Sequence, residues 1–280
     1  PAYGWLPHFR DKFIVTGGYD LFTAQQYVKA ATLEEAYELN QKRNNAILGG
    51  GCWMKMNRRR YQTLIDLSGL GLDKIEKTPE EFVLGAMVTL RQLETSPELK
   101  EAFGNGFYEM TRHIVGVQFR NCATLGGSLV SRFGFSDILT FLMALDCHVE
   151  LAHAGLIPLT EYAKMPYDND VLAKVHIAAN GRRAAYESLR QSATDIPVLT
   201  CAASVLDGTL RVVIGARPMR AVALEFPFPE TGEALTEICR QVEETVQFGS
   251  NLRGSGEYRR RMAGVLCRRA VCSLKEGASC

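Results

Sequence analysis

The chain reads as an α+β protein, and three observations carry that reading. Short β-prone runs and capped helical runs share the sequence without strict alternation, which does not fit a doubly wound or barrel pattern. Val198 to Leu206 and Thr209 to Ile214 form a hairpin pattern about Asp207-Gly208. Two helical segments close the chain, about Leu235 to Phe248 and Glu257 to Cys272. The second places Tyr258, Met262, Val265, Leu266 and Ala270 on one stripe at helical spacing.

The other elements follow in order. Thr32-Leu33-Glu34-Glu35 is a capping box, Thr first and Glu three residues on, and opens a helix through Leu39. Ala46-Ile47-Leu48 is a short buried strand, and Leu64 to Leu67 and Phe82 to Leu84 are two more, bounded by turn residues. Thr89-Leu90-Arg91-Gln92 is a second capping box, and Ser96-Pro97 sets an N-cap before a proline at the first helical position. A helix is expected over Phe107 to Val115. Ser136 caps a nearly all-apolar helix through Leu145, and a strand follows at Cys147 to Leu151. The texture changes after Pro158, with a strand at Val171 to Ala178. An unassigned extension over 1–22, a domain over 23–160 in two α+β parts (23–78 and 79–160), and a smaller α+β domain over 161–280 are expected, the texture change after Pro158 marking the last division and the resemblance given below implying the others.

At 280 residues there is room for two domains. A formal charge of +1, from 32 basic and 31 acidic residues, supplies no bulk field for nucleic acid. No apolar run reaches the length of about 18 residues that a membrane span needs. No signal peptide is expected in the first residues, because Phe9-Arg10-Asp11-Lys12 interrupts any apolar stretch. The eight cysteines include no Cys-x-x-Cys pair, which suggests neither a zinc site nor an iron–sulfur cluster. Free thiols and a cytoplasmic location are expected. The five histidines lack metal-ligand spacing, and no metal site or catalytic residue is assigned.

Two glycine knots carry the functional signal. Ile47-Leu48-Gly49-Gly50-Gly51-Cys52 is the first, and Asn121-Cys122-Ala123-Thr124-Leu125-Gly126-Gly127-Ser128 is the second, with Asp137 nine residues beyond it. Glycine lets backbone amides come close to an anion, and successive amides form a concave nest for phosphate oxygens. A single glycine pair is as well explained by a steric turn, whereas two knots after β-prone runs suit the two phosphates of a dinucleotide. Asp137 is then placed to accept from a neutral hydroxyl, although Ser136-Asp137 also suits a helix start.

These residues carry a resemblance. Thr32 to Met56, Gly85-Ala86-Met87-Val88-Thr89, and Arg120-Asn121-x-Ala123-Thr124-Leu125-Gly126-Gly127 with Asp137 resemble the flavin-binding domain of xanthine dehydrogenase and carbon monoxide dehydrogenase-type molybdenum hydroxylases. Thr194 to Val198, Pro218-Met219-Arg220-Ala221 with Glu225, and Ser255 to Arg260 resemble the C-terminal domain of that family's separate flavin subunit. The resemblance implies a two-part FAD-binding domain followed by a smaller α+β domain, in an oxidoreductase subunit that binds FAD non-covalently and transfers electrons. It implies partners as well: a 2Fe–2S subunit and a large molybdopterin-binding subunit hold the other cofactors, and NAD or another acceptor takes the electrons.

Carried over by position, Ile47, Leu48, Gly49, Gly50, Gly51, Cys52, Trp53 and Met54 cradle the pyrophosphate. Thr124, Leu125, Gly126, Gly127 and Ser128 form the second nest, and Asp137 meets a sugar hydroxyl. Ile114 lies on one face of the isoalloxazine and Val171 or Leu172 on the other. Glu187 stands near the flavin where xanthine dehydrogenases have lysine. Cys52 and Trp53 replace a hydroxyl residue and an acid, and a thiol is the weaker donor. Ser128 replaces the usual Asn. Cys52, Trp53 and Glu187 motivate an alternative, a structural or assembly subunit with weakened FAD binding. A stand-alone flavin oxidase of the broader related fold is a third reading; such enzymes often attach FAD through His or Cys, and no histidine sits in either glycine loop. Cys52 also suits a small turn filler, Arg58-Arg59-Arg60 a solvated run, and Arg259-Arg260-Arg261 a set of ion pairs.

Overall fold

The computed structural model describes residues 22–275. The chain opens with β1 (Thr23–Lys29), α1 (Leu33–Asn40), β2 (Ala46–Leu48), a single 3-10 turn over Met54–Met56, and β3 (Arg60–Asp66). β3 lies between β1 and β2 in a parallel sheet. Thr32 caps α1 as the sequence predicts, its hydroxyl accepting from the Glu35 amide at 3.1 Å. Ala36 and Ile65 anchor a small core between helix and sheet.

The second part holds β4 (Ile75–Lys77), β5 (Glu81–Gly85), α2 (Leu90–Thr95), α3 (Pro97–Phe103), α4 (Gly106–Thr111), α5 (Val117–Arg120), α6 (Leu125–Val130), α7 (Asp137–Leu142), β6 (Cys147–Leu151), β7 (Gly155–Pro158), α8 (Leu159–Tyr162) and β8 (Leu172–Ala178). Its antiparallel sheet runs β4-β5-β8-β6-β7. The largest core packs this sheet against the helices, with Phe82, Phe107 and Phe141 fully buried. β8 pairs with both β5 and β6, so this sheet closes with residues 172–178, beyond residue 160 where the sequence suggested a division.

The rest is a meander, β9 (Arg183–Leu189), β10 (Leu199–Leu206), β11 (Thr209–Gly215) and β12 (Val222–Pro227), covered by α9 (Gly232–Thr245) and α10 (Gly256–Leu274). Its apolar face packs on the two helices around Val212, Val242 and Leu266. The β10–β11 hairpin turns at Asp207-Gly208, both at positive φ. Asp146 ties this unit to the previous one through Arg182 and Arg211, each at 2.9 Å.

Several expectations shift. α4 stops at Thr111 and not at Val115, because Val115 takes φ +50° and cannot extend a right-handed helix. α7 ends at Leu142, after which Ala144 and Leu145 donate three residues back in a tightened turn. Of the arginine run near the C-terminus, Arg261 pairs with Glu257 at 2.7 Å. Arg259 is buried instead among the carbonyls of Val198, Gly249 and Gly254, and desolvation lowers its pKa. Cys52, Cys122, Cys147, Cys201, Cys239 and Cys267 are free thiols, whereas Cys272 is disulfide-bonded. Among the described residues no helix is long and apolar enough to cross a membrane.

Candidate functional site

A cleft of about 520 Å³ opens where the loop after β2, the segments around α5 and α6, the start of α7 and the loop after β9 meet. The first glycine knot forms one wall. Gly51 takes φ +67°, a backbone state glycine adopts at little cost, and turns the chain from β2 into the 3-10 turn. Among the described residues no acceptor takes the amides of Gly50, Gly51, Cys52 or Trp53. Four successive uncommitted N–H groups on a cleft suit an anion. The Cys52 thiol turns away, toward the carbonyls of Gly50 and Phe119 at 3.6 and 3.9 Å, and burial raises its pKa.

The two knots touch. A Cβ on Gly50 would stand 1.8 Å from the Cys122 carbonyl oxygen, and one on Gly49 2.9 Å from Thr124 Oγ1. The second knot is not an open nest, however. Thr124 caps α6, accepting from the Gly127 amide at 3.3 Å, so Leu125 to Ser128 form the first turn of a helix. The Leu125 amide donates to Val88 and the Gly126 amide to Ala86, both at 2.8 Å. Ser128 N–H donates to the Thr124 carbonyl at 3.1 Å. These donors are spent inside the fold. Leu125 is buried in the core, and a Cβ on Gly126 would press within 2.8 Å of the Ala86 Cβ. Thr124, Gly127 and Ser128 line the cleft; Leu125 and Gly126 do not.

Asp137 lies at the start of α7, where Ser136 caps the helix through the Leu139 amide at 3.1 Å. Its Oδ1 accepts from the Tyr186 hydroxyl and from Arg190, which leaves Oδ2 clear of both. Burial pushes the carboxyl pKa up, against the opposite pull of Arg190 and Tyr186. Burial also raises the Tyr186 pKa, with Asp137 adding to it, which keeps the phenol a donor. Arg190 also donates to the Asp195 carbonyl at 2.7 Å, while its Nε is buried without a partner. His113 lines the same cleft, its pKa lowered by burial and then by Arg112 and Arg190, which favours the neutral ring.

The walls between these groups are apolar. Ile47, Ile114, Phe119 and Ile138 line the cleft, as do three aromatic residues. Phe133 and Phe135 stack at 5.0 Å, and Trp53 meets them at 5.9 and 6.3 Å. Of the residues expected from sequence, the cleft gathers Ile47, Gly49 to Met54, Ile114, Thr124, Gly127, Ser128 and Asp137.

Four further expected residues lie elsewhere. Leu48 supports the loop from behind, its Cδ1 3.6 Å from where a Gly51 Cβ would stand. Val171 is fully buried against the first sheet, and Leu172 belongs to the large core. Glu187 sits on β9, where successive side chains alternate between faces. Tyr186 points to Asp137, so Glu187 faces the other way, toward Arg269 on α10, with burial raising its pKa. The charged side chain that β9 delivers to the cleft is Arg190, just past the strand end. Thr194 to Pro197 also line the cleft, although the sequence flagged them only through the resemblance. Phe133, Phe135 and Lys55 had no sequence signal beyond proximity to the knots.

The family described as "FAD binding domain in molybdopterin dehydrogenase" matches residues 22–179, more than half of the chain. The chain belongs to that family. Its cofactor is FAD. The CO dehydrogenase flavoprotein C-terminal domain matches residues 184–274. Among relatives, the chain is 25% identical over 253 residues to the uncharacterized protein YgfM of Escherichia coli K12, covering 86% of this chain and 93% of that one. It is 24% identical over 276 residues to the nicotine 6-hydroxylase medium subunit of Paenarthrobacter nicotinovorans, covering 89% and 96%. The fold is also that of a chain in the carbon monoxide dehydrogenase of Hydrogenophaga pseudoflava, with a TM-score of 0.78, 24% identity and coverage of 88% and 96%. For a member of the FAD-binding family the cleft's chemistry is coherent. Uncommitted amides suit phosphate oxygens, the free carboxylate oxygen of Asp137 suits a hydroxyl, and apolar walls suit a flat neutral ring.

Proposed function

We propose that this chain is the electron-transfer flavoprotein subunit of a multi-subunit molybdenum hydroxylase, taking electrons from iron–sulfur clusters on a partner and passing them to NAD or another acceptor. The four uncommitted amides of Gly50 to Trp53 on the cleft are the observation that carries FAD binding by this chain. Gly50 to Trp53 would hold the pyrophosphate, Asp137 would accept from a hydroxyl of the ligand, and Ile114 would wall the isoalloxazine. Bound FAD supplies the hydride and single-electron chemistry. The protein's own work is to fix the ring, exclude water with apolar walls, and keep Tyr186 and Arg190 bonded to Asp137. That network presets the Asp137 carboxylate so that Oδ2 meets the ligand without reorganising.

The medium-subunit relative supports reading this chain as one component among several. A 2Fe–2S subunit and a large molybdopterin-binding subunit are the partners proposed, and oxidation of an organic substrate would require both. Flavin extracted from the purified chain, compared with protein concentration, tests the cofactor. A ratio near one FAD per chain is expected, and a colourless folded protein that binds no added FAD would favour the assembly-subunit reading. Metal analysis and co-purification from the native source test the partners. Substrate hydroxylation by this chain alone, with neither iron nor molybdenum present, would overturn the proposal.

A further inference from the structure

We propose that Lys55 is the cation that neutralises the phosphate charge of the bound dinucleotide. This deepens the FAD-binding reading above and rests on it. The pyrophosphate of such a ligand brings two negative charges, and uncharged amides alone offset them only partly. The charged side chains lining the cleft are Lys55, Asp137, Arg190 and Asp195. Arg190 is committed to Asp137, and Asp195 lies 3.5 Å from Arg253. Among the described residues Lys55 has no carboxylate partner, so it is the uncompensated charge of the cleft.

Its position follows from the loop. Lys55 N–H donates to the Gly51 carbonyl at 3.1 Å, which closes a turn onto the knot, and Lys55 lines the same cleft as the free amides. Lys55 is also close enough to Cys52 for its charge to pull down a thiol pKa that burial, the larger effect, pushes up. The Cys52 thiol is turned inward to carbonyls and so gives the phosphates no side-chain donor. The loop therefore lacks one neutral donor to the phosphates and has a nearby ammonium instead. A charge-assisted hydrogen bond is about twice as strong as a neutral one, so the exchange favours anion binding. Lys55 is exposed, so removing its charge should leave the fold intact.

The full chain, freed of flavin, is titrated with FAD and separately with riboflavin, which lacks both phosphates, at low and high salt. Lys55→Met should weaken FAD binding about tenfold at low salt and leave riboflavin binding unchanged, while Lys55→Arg retains most of the affinity. The salt dependence of FAD binding should also become shallower in Lys55→Met, since one fewer charge contact is screened. Unchanged FAD affinity with an unchanged salt slope in Lys55→Met would overturn the role of Lys55 and leave FAD binding standing. Equal losses for FAD and riboflavin would overturn it too, by showing that the side chain acts through packing. Wild-type protein that binds no FAD would remove the FAD-binding reading itself.

Discussion

The two glycine knots look alike in sequence and do opposite work. In the first, Gly50 to Trp53 leave their amides free and face the cleft. In the second, the amides of Leu125 and Gly126 donate to Val88 and Ala86, and Thr124 takes the amide of Gly127. The first knot is a loop with free donors on a cleft. The second is a structural joint that places Thr124 and Ser128 and receives the first loop against Cys122. Paired glycines therefore mark two needs, amides open to an anion in one place and close packing of backbone in the other, and only the hydrogen-bond partners tell them apart.

The largest effect expected is from Gly50→Val, because its Cβ would overlap the Cys122 carbonyl at 1.8 Å, a backbone atom that cannot swing aside. The cost should be about 3–5 kcal/mol, with loss of flavin, read by denaturant unfolding and flavin content. Gly126→Ala should cost about 1–3 kcal/mol through crowding against Ala86, yet the folded protein should bind FAD with near wild-type affinity. Full stability combined with lost FAD in Gly126→Ala would erase the distinction between the knots. Gly51→Ala should be milder in stability, about 1 kcal/mol, because it forces a Cβ into positive φ with space around it. Its signature is functional, a weaker FAD titration out of proportion to the stability change, since it re-aims the free amides.

The smallest effect lies outside both knots and serves as their control. Burial works to raise the Asp146 pKa, but hydrogen bonds from Asn180, Arg182 and Arg211 outweigh it and hold the pKa below the ordinary carboxylate value. A depressed carboxylate stabilises the fold above its unfolded pKa, and that contribution is lost as pH falls through the lower folded pKa. Asp146→Asn should therefore flatten the acid limb of a stability-versus-pH curve measured by thermal unfolding. FAD affinity at neutral pH should stay unchanged; a steep loss of it would mean that the seam between the units also shapes the cleft.

Local signals were legible where the chemistry is local. Thr32, Thr89, Ser96 and Ser136 each cap the helix start that the sequence assigns them, because a cap needs only the next three residues. The first knot is local in the same way: its glycines and the positive φ of Gly51 lie within one loop on the cleft. The second was misread as an open nest because its amide partners, Ala86 and Val88, lie some forty residues upstream and no local pattern names them. Glu187 was misplaced because β9 was not recognised as a strand, and strand alternation decides that Tyr186 faces Asp137 while Glu187 does not. Arg190 was invisible in sequence, since its role depends on a carboxylate 53 positions away. Asp137 was read both as a helix start and as a hydroxyl partner; the structure has it opening α7 and lining the cleft.

Trp53, half-exposed on the cleft and the one tryptophan among the described residues, gives the molecule an optical property of its own. Indole emission overlaps flavin absorption, and transfer of excitation between the two depends steeply on their separation. A flavin seated in the cleft would be within contact range of this ring. Its arrival and departure should then register as dimming and recovery of intrinsic fluorescence, with no label attached, and Trp53→Phe, which keeps Trp5 as its one indole, provides the background to subtract.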